Sequence, residues 1–267
     1  MNDFLQVGPV ALSTERIAAV VSIWLFLAVS AWIARKCSRA SSTAWIAVAA
    51  GILAARVGYV VQNFEAFRIE PLSIAYVWQG GFEPLFGIAA AALVLALMLR
   101  RSERWISLAG LATVTAGWFA FSAMLKRGPA PPMPRLANVT DVRGTPLAEP
   151  GIKGPLVVNL WATWCPPCRR EMPRLQETAE ANPDVPILLL NQGEDPSQVD
   201  HYLRKEGIDA GRVLIDRNGG FAGTIGATAL PTTLFVNSDG RIVRTHSGEI
   251  SRAALLSGIR ELRRSGE

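Results

Sequence analysis

Two cysteines separated by two prolines, in Trp164-Cys165-Pro166-Pro167-Cys168, are the residues of this 267-residue chain whose types and spacing point most directly to chemistry. The apolar, partly β-branched run before them, Pro155-Leu-Val-Val-Asn-Leu160, reads as a buried strand. After them Met172, Leu175 and Ala179 recur at helical spacing, so the pair falls where a strand gives way to a helix. A thiol in the first turn of a helix faces unpaired backbone N–H groups and the positive end of the dipole, both of which favour its thiolate. Cys165 is therefore the expected nucleophile, and Cys168, one turn deeper, the thiol that resolves a mixed disulfide. Pro166 fits a first-turn position where a missing N–H does no harm, and Pro173 is expected to kink the helix. A zinc site would need about four nitrogen or sulfur ligands. Outside the pair the chain offers only Cys37, His201 and His246, so no metal and no other cofactor is expected, and both histidines read as surface residues.

The segment Val157-Val-Asn-Leu-Trp-Ala-Thr-Trp-Cys-Pro-Pro-Cys-Arg-Arg-Glu-Met-Pro173 resembles the active-site segment of the TlpA/ResA/DsbE group of membrane-tethered, thioredoxin-like thiol-disulfide oxidoreductases. A second segment, Gly226-Ala-Thr-Ala-Leu-Pro231-Thr-Thr-Leu-Phe-Val-Asn-Ser-Asp-Gly-Arg-Ile242, is similar to that group's cis-proline loop and following hairpin. The resemblance implies a redox disulfide between Cys165 and Cys168 and a protein-disulfide reductase activity. It further implies that Pro231 is cis and lies against the pair, with Leu230 offering its backbone N–H and C=O to an extended substrate strand. Trp164, Pro166 and Pro167 are the expected substrate-facing neighbours, and Trp161 and Trp164 are expected to limit access. Glu194, in Asn191-Gln-Gly-Glu194, resembles the group's acidic residue near the buried cysteine and is expected to take the proton of Cys168 as it attacks. Asp195 is the alternative acid. The implied partners are disulfide-containing periplasmic proteins such as apocytochrome c, and a transmembrane electron donor of the DsbD type.

Half of the residues are hydrophobic, and the length allows about two domains. Lys and Arg outnumber Asp and Glu by nine to six up to Leu125 and by eighteen to sixteen beyond it, which sum to the chain's 27 and 22. Neither half is basic enough to suggest nucleic acid. Four apolar stretches, Ile17–Ala34, Ala44–Val61, Pro84–Leu99 and Trp105–Leu125, are near the length needed to cross a bilayer and are expected to be transmembrane helices in contact with lipid. Arg35, Lys36 and Arg39 follow the first, and Arg100, Arg101 and Arg104 follow the third, which places both connections in the cytoplasm. An even number of crossings then puts the N-terminus and the cysteine domain on the periplasmic side of the inner membrane, with Lys126 and Arg127 in weak opposition. The positive charge follows the first apolar stretch instead of preceding it, unlike a cleaved signal peptide. Cys37, after Arg35-Lys36, reads as a free cytosolic thiol.

Within the apolar half, Arg56-Val-Gly-Tyr59, Pro71 and Trp78-Gln-Gly-Gly81 resemble part of prolipoprotein diacylglyceryl transferase. That enzyme continues with His-Gly-Gly, whereas this chain reads Phe82-Glu-Pro-Leu-Phe-Gly87 and has no histidine before His201, which speaks against transferase activity. A charge inside an apolar span is costly and often functional. Arg56 is expected either to reach headgroups or pair with Glu65, or to contact lipid or a partner.

Between the halves, Gly128-Pro-Ala-Pro-Pro-Met-Pro-Arg135 favours extended polyproline geometry and reads as a semi-rigid spacer. An added hairpin is expected over Leu136–Leu147. Strands at Val185–Leu190, Arg212–Ile215, Thr232–Val236 and Arg241–Thr245 alternate with helices at Pro196–Glu206, Phe221–Gly226 and Ile250–Arg263. The expected architecture is a multi-pass α-helical membrane domain over 1–125, a proline-rich linker over 126–135, and over 136–267 an α/β thioredoxin-like domain with a mixed sheet flanked by helices.

Overall fold

The structure, a computed structural model, describes residues 4–7, 10–34, 39–125, 129–136, 139–146 and 155–265. Arg35, Lys36, Cys37, Lys126 and Arg127, named in the topology argument, lie outside the described residues. The chain divides into two compact units, one mainly Leu12–Gly128 and the other mainly Pro129–Glu267.

The N-terminal residues form a two-stranded ribbon, β1 (Phe4–Val7) and β2 (Val10–Ser13). Helices α1 (Thr14–Ala34) and α2 (Arg39–Gln62) follow, then a short α3 (Phe64–Ile69), 3-10 turns at Pro71–Ala75 and Val77–Gln79, α4 (Pro84–Met98) and α5 (Arg101–Leu125). Among the described residues Ser41–Gln62 and Glu103–Leu125 are long and apolar enough to cross a membrane, while Ile17–Trp32 and Pro84–Met98 are apolar but shorter. Large apolar side chains such as Trp24, Leu53, Leu97 and Met124 point outward, the reverse of a water-soluble bundle. Helices α2 and α4 meet backbone to backbone at Gly51 and Gly87, where an added Cβ would lie 3.0 and 2.9 Å from the other's carbonyl oxygen.

In the second unit a six-stranded sheet runs in the order β3-β6-β5-β4-β7-β8, with β3 (Val139–Thr140), β4 (Leu156–Trp161), β5 (Ile187–Gln192), β6 (Val213–Asp216), β7 (Thr232–Val236) and β8 (Ile242–Ser247). β4, β5 and β6 are parallel, whereas β3, β7 and β8 are antiparallel to their neighbours, so this is the expected mixed sheet. β4 is buried along its whole length, which is why its sequence is a continuous apolar run broken only by Asn159. Helices α6 (Pro166–Ala181), α7 (Pro196–Glu206) and α9 (Arg252–Ser265) share a core with Val157, Trp161, Ile215 and Phe235. The short α8 (Gly220–Thr224) contributes Phe221 to a second core with Leu156, Val158, Leu160 and Leu234. α9 approaches β7 so closely at Gly258 that a Cβ there would sit 2.0 Å from the Phe235 ring. α6 continues through Pro173 as a single helix.

The proline-rich stretch is engaged with the sheet. Ile242 N–H donates to the Pro131 carbonyl and Met133 N–H to the Gly240 carbonyl, both at 2.8 Å, and the Arg241 guanidinium reaches the Ala130 carbonyl at 2.8 Å. Pro132 falls opposite Arg241, at the register position where no donor is asked of it.

Candidate active site

β4 ends at Trp161 and a tight turn through Thr163 and Trp164 delivers Cys165 to the N-cap of α6. There Cys165 Sγ accepts the N–H of Cys168 at 3.3 Å, so the outer sulfur uses one of the donors that a helix start leaves unpaired. Pro166 and Pro167 occupy the next two helical positions, which need no donor. The two cysteines are joined as a disulfide, S–S 2.07 Å with Cα atoms 5.3 Å apart. Cys168 is fully buried and Cys165 nearly so, while Trp164 beside them is 68% exposed and Pro166 is exposed. Trp161 is buried, its ring 5.7 Å from that of Tyr202. Trp164 thus lies at the surface next to the disulfide in sequence, and Trp161 belongs to the core.

The Leu230–Pro231 peptide is cis. Thr232 pairs with Leu160, so β7 begins beside the end of β4 from which the cysteine turn departs, and Leu230–Pro231 sits at the same edge of the sheet as the disulfide. Pro231 is buried, its carbonyl accepts Gly248 N–H at 2.8 Å, and Leu230 is half-buried.

Glu194, the expected acceptor of the Cys168 proton, is buried, and both of its carboxylate oxygens are engaged. Its carboxylate accepts Thr163 N–H at 2.7 Å, Asn191 Nδ2 at 2.6 Å, Gln198 Nε2 at 3.0 Å and the Thr163 hydroxyl. It ties the turn preceding Cys165 to the end of β5 and the start of α7, and four donors already occupy its two oxygens. Asp195, the alternative acid, caps α7 by accepting Ser197 N–H and Oγ, and it pairs with Arg217 at 2.8 Å. The hydrogen bonds from Ser197, with Arg217 nearby, hold its carboxyl below the usual range.

A second buried carboxylate, Glu171, had no role assigned from the sequence. Glu171 is fully buried on α6, three residues after Cys168 and therefore on the same helix face. Its Oε1 accepts Asn159 Nδ2 at 2.8 Å and its Oε2 accepts Ile250 N–H at 2.8 Å. Desolvation pushes its carboxyl up to about 8, against the pull of those two hydrogen bonds. The signal in the sequence was Cys168-Arg-Arg-Glu171 on a helix whose buried positions are Cys168, Met172 and Leu175. His201 is exposed on α7, and His246 is half-buried on β8.

In the other unit Arg56 is neither snorkelling nor paired with Glu65, which bonds Arg68 instead at 3.4 Å. The Arg56 guanidinium is buried and donates to the carbonyls of Ser73, Ile74, Gly80 and Gly81 at 2.6 to 3.1 Å, between the rings of Phe67 and Phe82. Gly81 has φ +85°, and a Cβ there would lie 2.5 Å from the Tyr59 ring and 2.9 Å from Arg56 Nη1. Arg56, Tyr59 and Gly80-Gly81 are thus one interlocked unit that folds the 71–83 segment over the end of α2.

The Redoxin family model matches residues 144–259, and the model for prolipoprotein diacylglyceryl transferase matches residues 3–127. A thiol-disulfide oxidoreductase ResA of Bacillus cereus is 30% identical over 146 residues, covering 54% of this chain and 82% of that protein. The thiol:disulfide interchange protein DsbE homolog of Paracoccus denitrificans (strain Pd 1222) is 32% identical over 120 residues, 45% of this chain and 62% of that protein. The crystal structure of StoA from Bacillus subtilis matches 47% of this chain and 99% of its own, at 21% identity and a TM-score of 0.40. A bonded cysteine pair at a strand-to-helix turn, together with a ResA relative matched over most of its length, identifies the C-terminal half, and through it the chain belongs to the ResA-like thiol-disulfide oxidoreductases of the redoxin family.

Proposed function

We propose that this protein is a membrane-anchored reductase of protein disulfides whose cysteine domain works on the outer face of the cytoplasmic membrane. The observation that carries the reading is the Cys165–Cys168 disulfide at the start of α6, with Cys165 Sγ accepting a helix N–H. In the reduced protein that environment favours a Cys165 thiolate. The thiolate attacks one sulfur of a client disulfide, forming a mixed disulfide and releasing the first client thiolate. Cys168 then gives its proton to the ionised form of Glu171, the minor form below about pH 8, and attacks the Cys165 sulfur. The second client thiolate leaves, the Cys165–Cys168 bond closes, and two electrons have passed to the client. Leu230 and Pro231 hold the client as an added strand, with Trp164, Pro166 and Pro167 at its edge. Glu194 positions the Thr163–Trp164 turn.

The direction of electron flow follows from compartment chemistry, since a tethered thiol couple is useful in an oxidising space when it is fed electrons. A transmembrane donor of the DsbD type would re-reduce the pair, and apocytochrome c and other oxidised periplasmic proteins are the proposed clients. Four crossings by α1, α2, α4 and α5, with the basic turn between α4 and α5, around Arg100, in the cytoplasm, put both termini outside. The outward tryptophans Trp45 and Trp105, near the helix starts on the side of that basic turn, suit an interfacial belt. Reduction of insulin by the full chain in detergent micelles with dithiothreitol tests the activity. It should be catalytic and lost in Cys165→Ser, and equal rates for wild type and variant would refute the reading.

The match over residues 3–127 favours a second reading, a lipid-modifying activity in the membrane half. Diacylglyceryl transfer that survives Cys165→Ser would support it.

A further inference from the structure

The loop Gly248–Ser251 between β8 and α9 is fastened to α6 at three points. Arg170 grips Glu249 Oε2 through Nε and Nη2 at 3.0 and 2.9 Å, Ile250 N–H donates to Glu171 Oε2 at 2.8 Å, and Arg174 Nη1 donates to the Ile250 carbonyl at 2.6 Å. The same loop is fastened to the proline strand by Gly248 N–H on the Pro231 carbonyl at 2.8 Å. The sequence neighbours of the two groups joined at Glu171 and Ile250, namely Arg170 on the helix and Glu249 in the loop, are therefore each other's ion partners.

The pair is asymmetric toward solvent: the Arg170 side chain is 60% exposed and that of Glu249 only 13%. Water and salt screen the outer charge more than the inner one, so the two do not cancel at a third group buried behind them. Burial is the main reason Glu171 holds its proton, the hydrogen bonds from Ile250 and Asn159 oppose it, and beyond these Glu249 repels a negative charge on Glu171 while Arg174 attracts one. Cys168 lies three residues before Glu171 among the buried positions of α6, Asn159 on β4 bonds Glu171, and behind Asn159 stands Thr233 on β7. The half-buried His246 of β8 stands opposite Thr233.

We propose that Arg170 and Glu249 are positioning residues for the thiol chemistry: their lopsided ion pair sets the charge felt by Glu171 and, through Glu171, the pH at which Cys168 becomes nucleophilic. This rests on the reading of Glu171 as acceptor of the Cys168 proton. The step they tune moves one proton from Cys168 Sγ to a Glu171 oxygen without electron transfer. The thiolate so formed then breaks the mixed disulfide at Cys165, and the departing client thiolate takes a proton from water.

The test uses the full chain in detergent micelles, oxidised for one readout and reduced for the other. In the oxidised protein the infrared band of the protonated Glu171 carboxyl, identified by its loss in Glu171→Gln, is followed against pH. Glu249→Gln should lower its midpoint and Arg170→Gln should raise it, each by about half a pH unit or more, and Arg170→Lys should stay near wild type. In a Cys37→Ser/Cys165→Ser background, the pH profile of Cys168 alkylation should move in the same two directions, and most of that movement should vanish when Glu171→Gln is added. Both substitutions break the same latch, so a merely structural pair would move both midpoints the same way. Shifts of like sign, no shift, or alkylation shifts undiminished by Glu171→Gln would overturn the proposal. A wild-type alkylation profile in Glu171→Gln alone would instead remove the reading on which it rests.

Discussion

Asn159 and Glu171 are joined by a 2.8 Å hydrogen bond between two fully buried side chains. Asn159 is the polar residue of an otherwise apolar strand, and its amide nitrogen also donates to Thr233 Oγ1 at 3.0 Å while its Oδ1 has no partner. A half-turn of the amide would set Oδ1 against Glu171, where it could accept the proton of a neutral carboxyl. The pocket therefore suits both protonation states, as a group that takes up and gives back a proton requires.

This arrangement makes stability depend on pH. With its carboxyl pushed up to about 8, Glu171 keeps its proton in the fold at pH values where the unfolded chain has released it. The folded state then binds more protons, so its contribution is complete below the ordinary carboxylate range and is lost as pH rises to about 8. Denaturant unfolding of the oxidised protein should show stability falling across that window by up to a few kcal/mol, and Glu171→Gln should flatten the slope. A slope unchanged by the substitution would contradict the assignment.

Glu194 should behave as a tie. Glu194→Ala leaves Thr163 N–H and the Asn191 amide without their acceptor and should cost about 1–3 kcal/mol. Glu194→Gln retains one acceptor oxygen and should cost less. Neither should move the pH profile of Cys168 alkylation, and a shift comparable to that of Glu171→Gln would return Glu194 to the role of proton acceptor.

Arg56 and Gly81 should matter to the apolar helical half alone. Arg56→Lys cannot span four carbonyls with a point charge, and Gly81→Ala puts a Cβ into the Tyr59 ring at a positive φ. Each should lower the thermal midpoint of the detergent-solubilised protein while leaving insulin reduction within about twofold, a span of ~0.4 kcal/mol in activation free energy. Loss of reduction without loss of stability would show that the arginine takes part in the redox cycle.

The redox half was legible wherever local pattern decides structure. The α7 and β7 boundaries coincide with the sequence reading because Asp195 caps one helix, Gly207 ends it, and the Asn237–Gly240 turn ends the strand. Pro131–Met133 could not be read that way: its partners lie more than a hundred residues away, and composition alone suggested a spacer. α3 and the following 3-10 turns were missed because they are organised by one guanidinium gathering carbonyls, a contact without periodicity. Glu171 escaped notice because Arg-Arg-Glu reads as a solvated helix turn; its spacing from Cys168 and Leu175 was the signal of a buried position, and the Ile250 loop bonds it there.

Topology has its own test. A reporter active only outside the cytoplasm, fused after Glu267, should be active, and the same reporter placed after Leu99, between α4 and α5, should be silent. The reverse pattern would reverse the proposed orientation.

The central claim, a thiol couple that exchanges disulfides with client proteins outside the membrane, is tested most directly by trapping. Cys168→Ser removes the resolving thiol, so clients should accumulate on Cys165 as dithiothreitol-cleavable adducts in intact cells, identifiable by mass spectrometry and absent when Cys165→Ser is added. If the single variant captures nothing, or captures equally well without Cys165, the account is wrong.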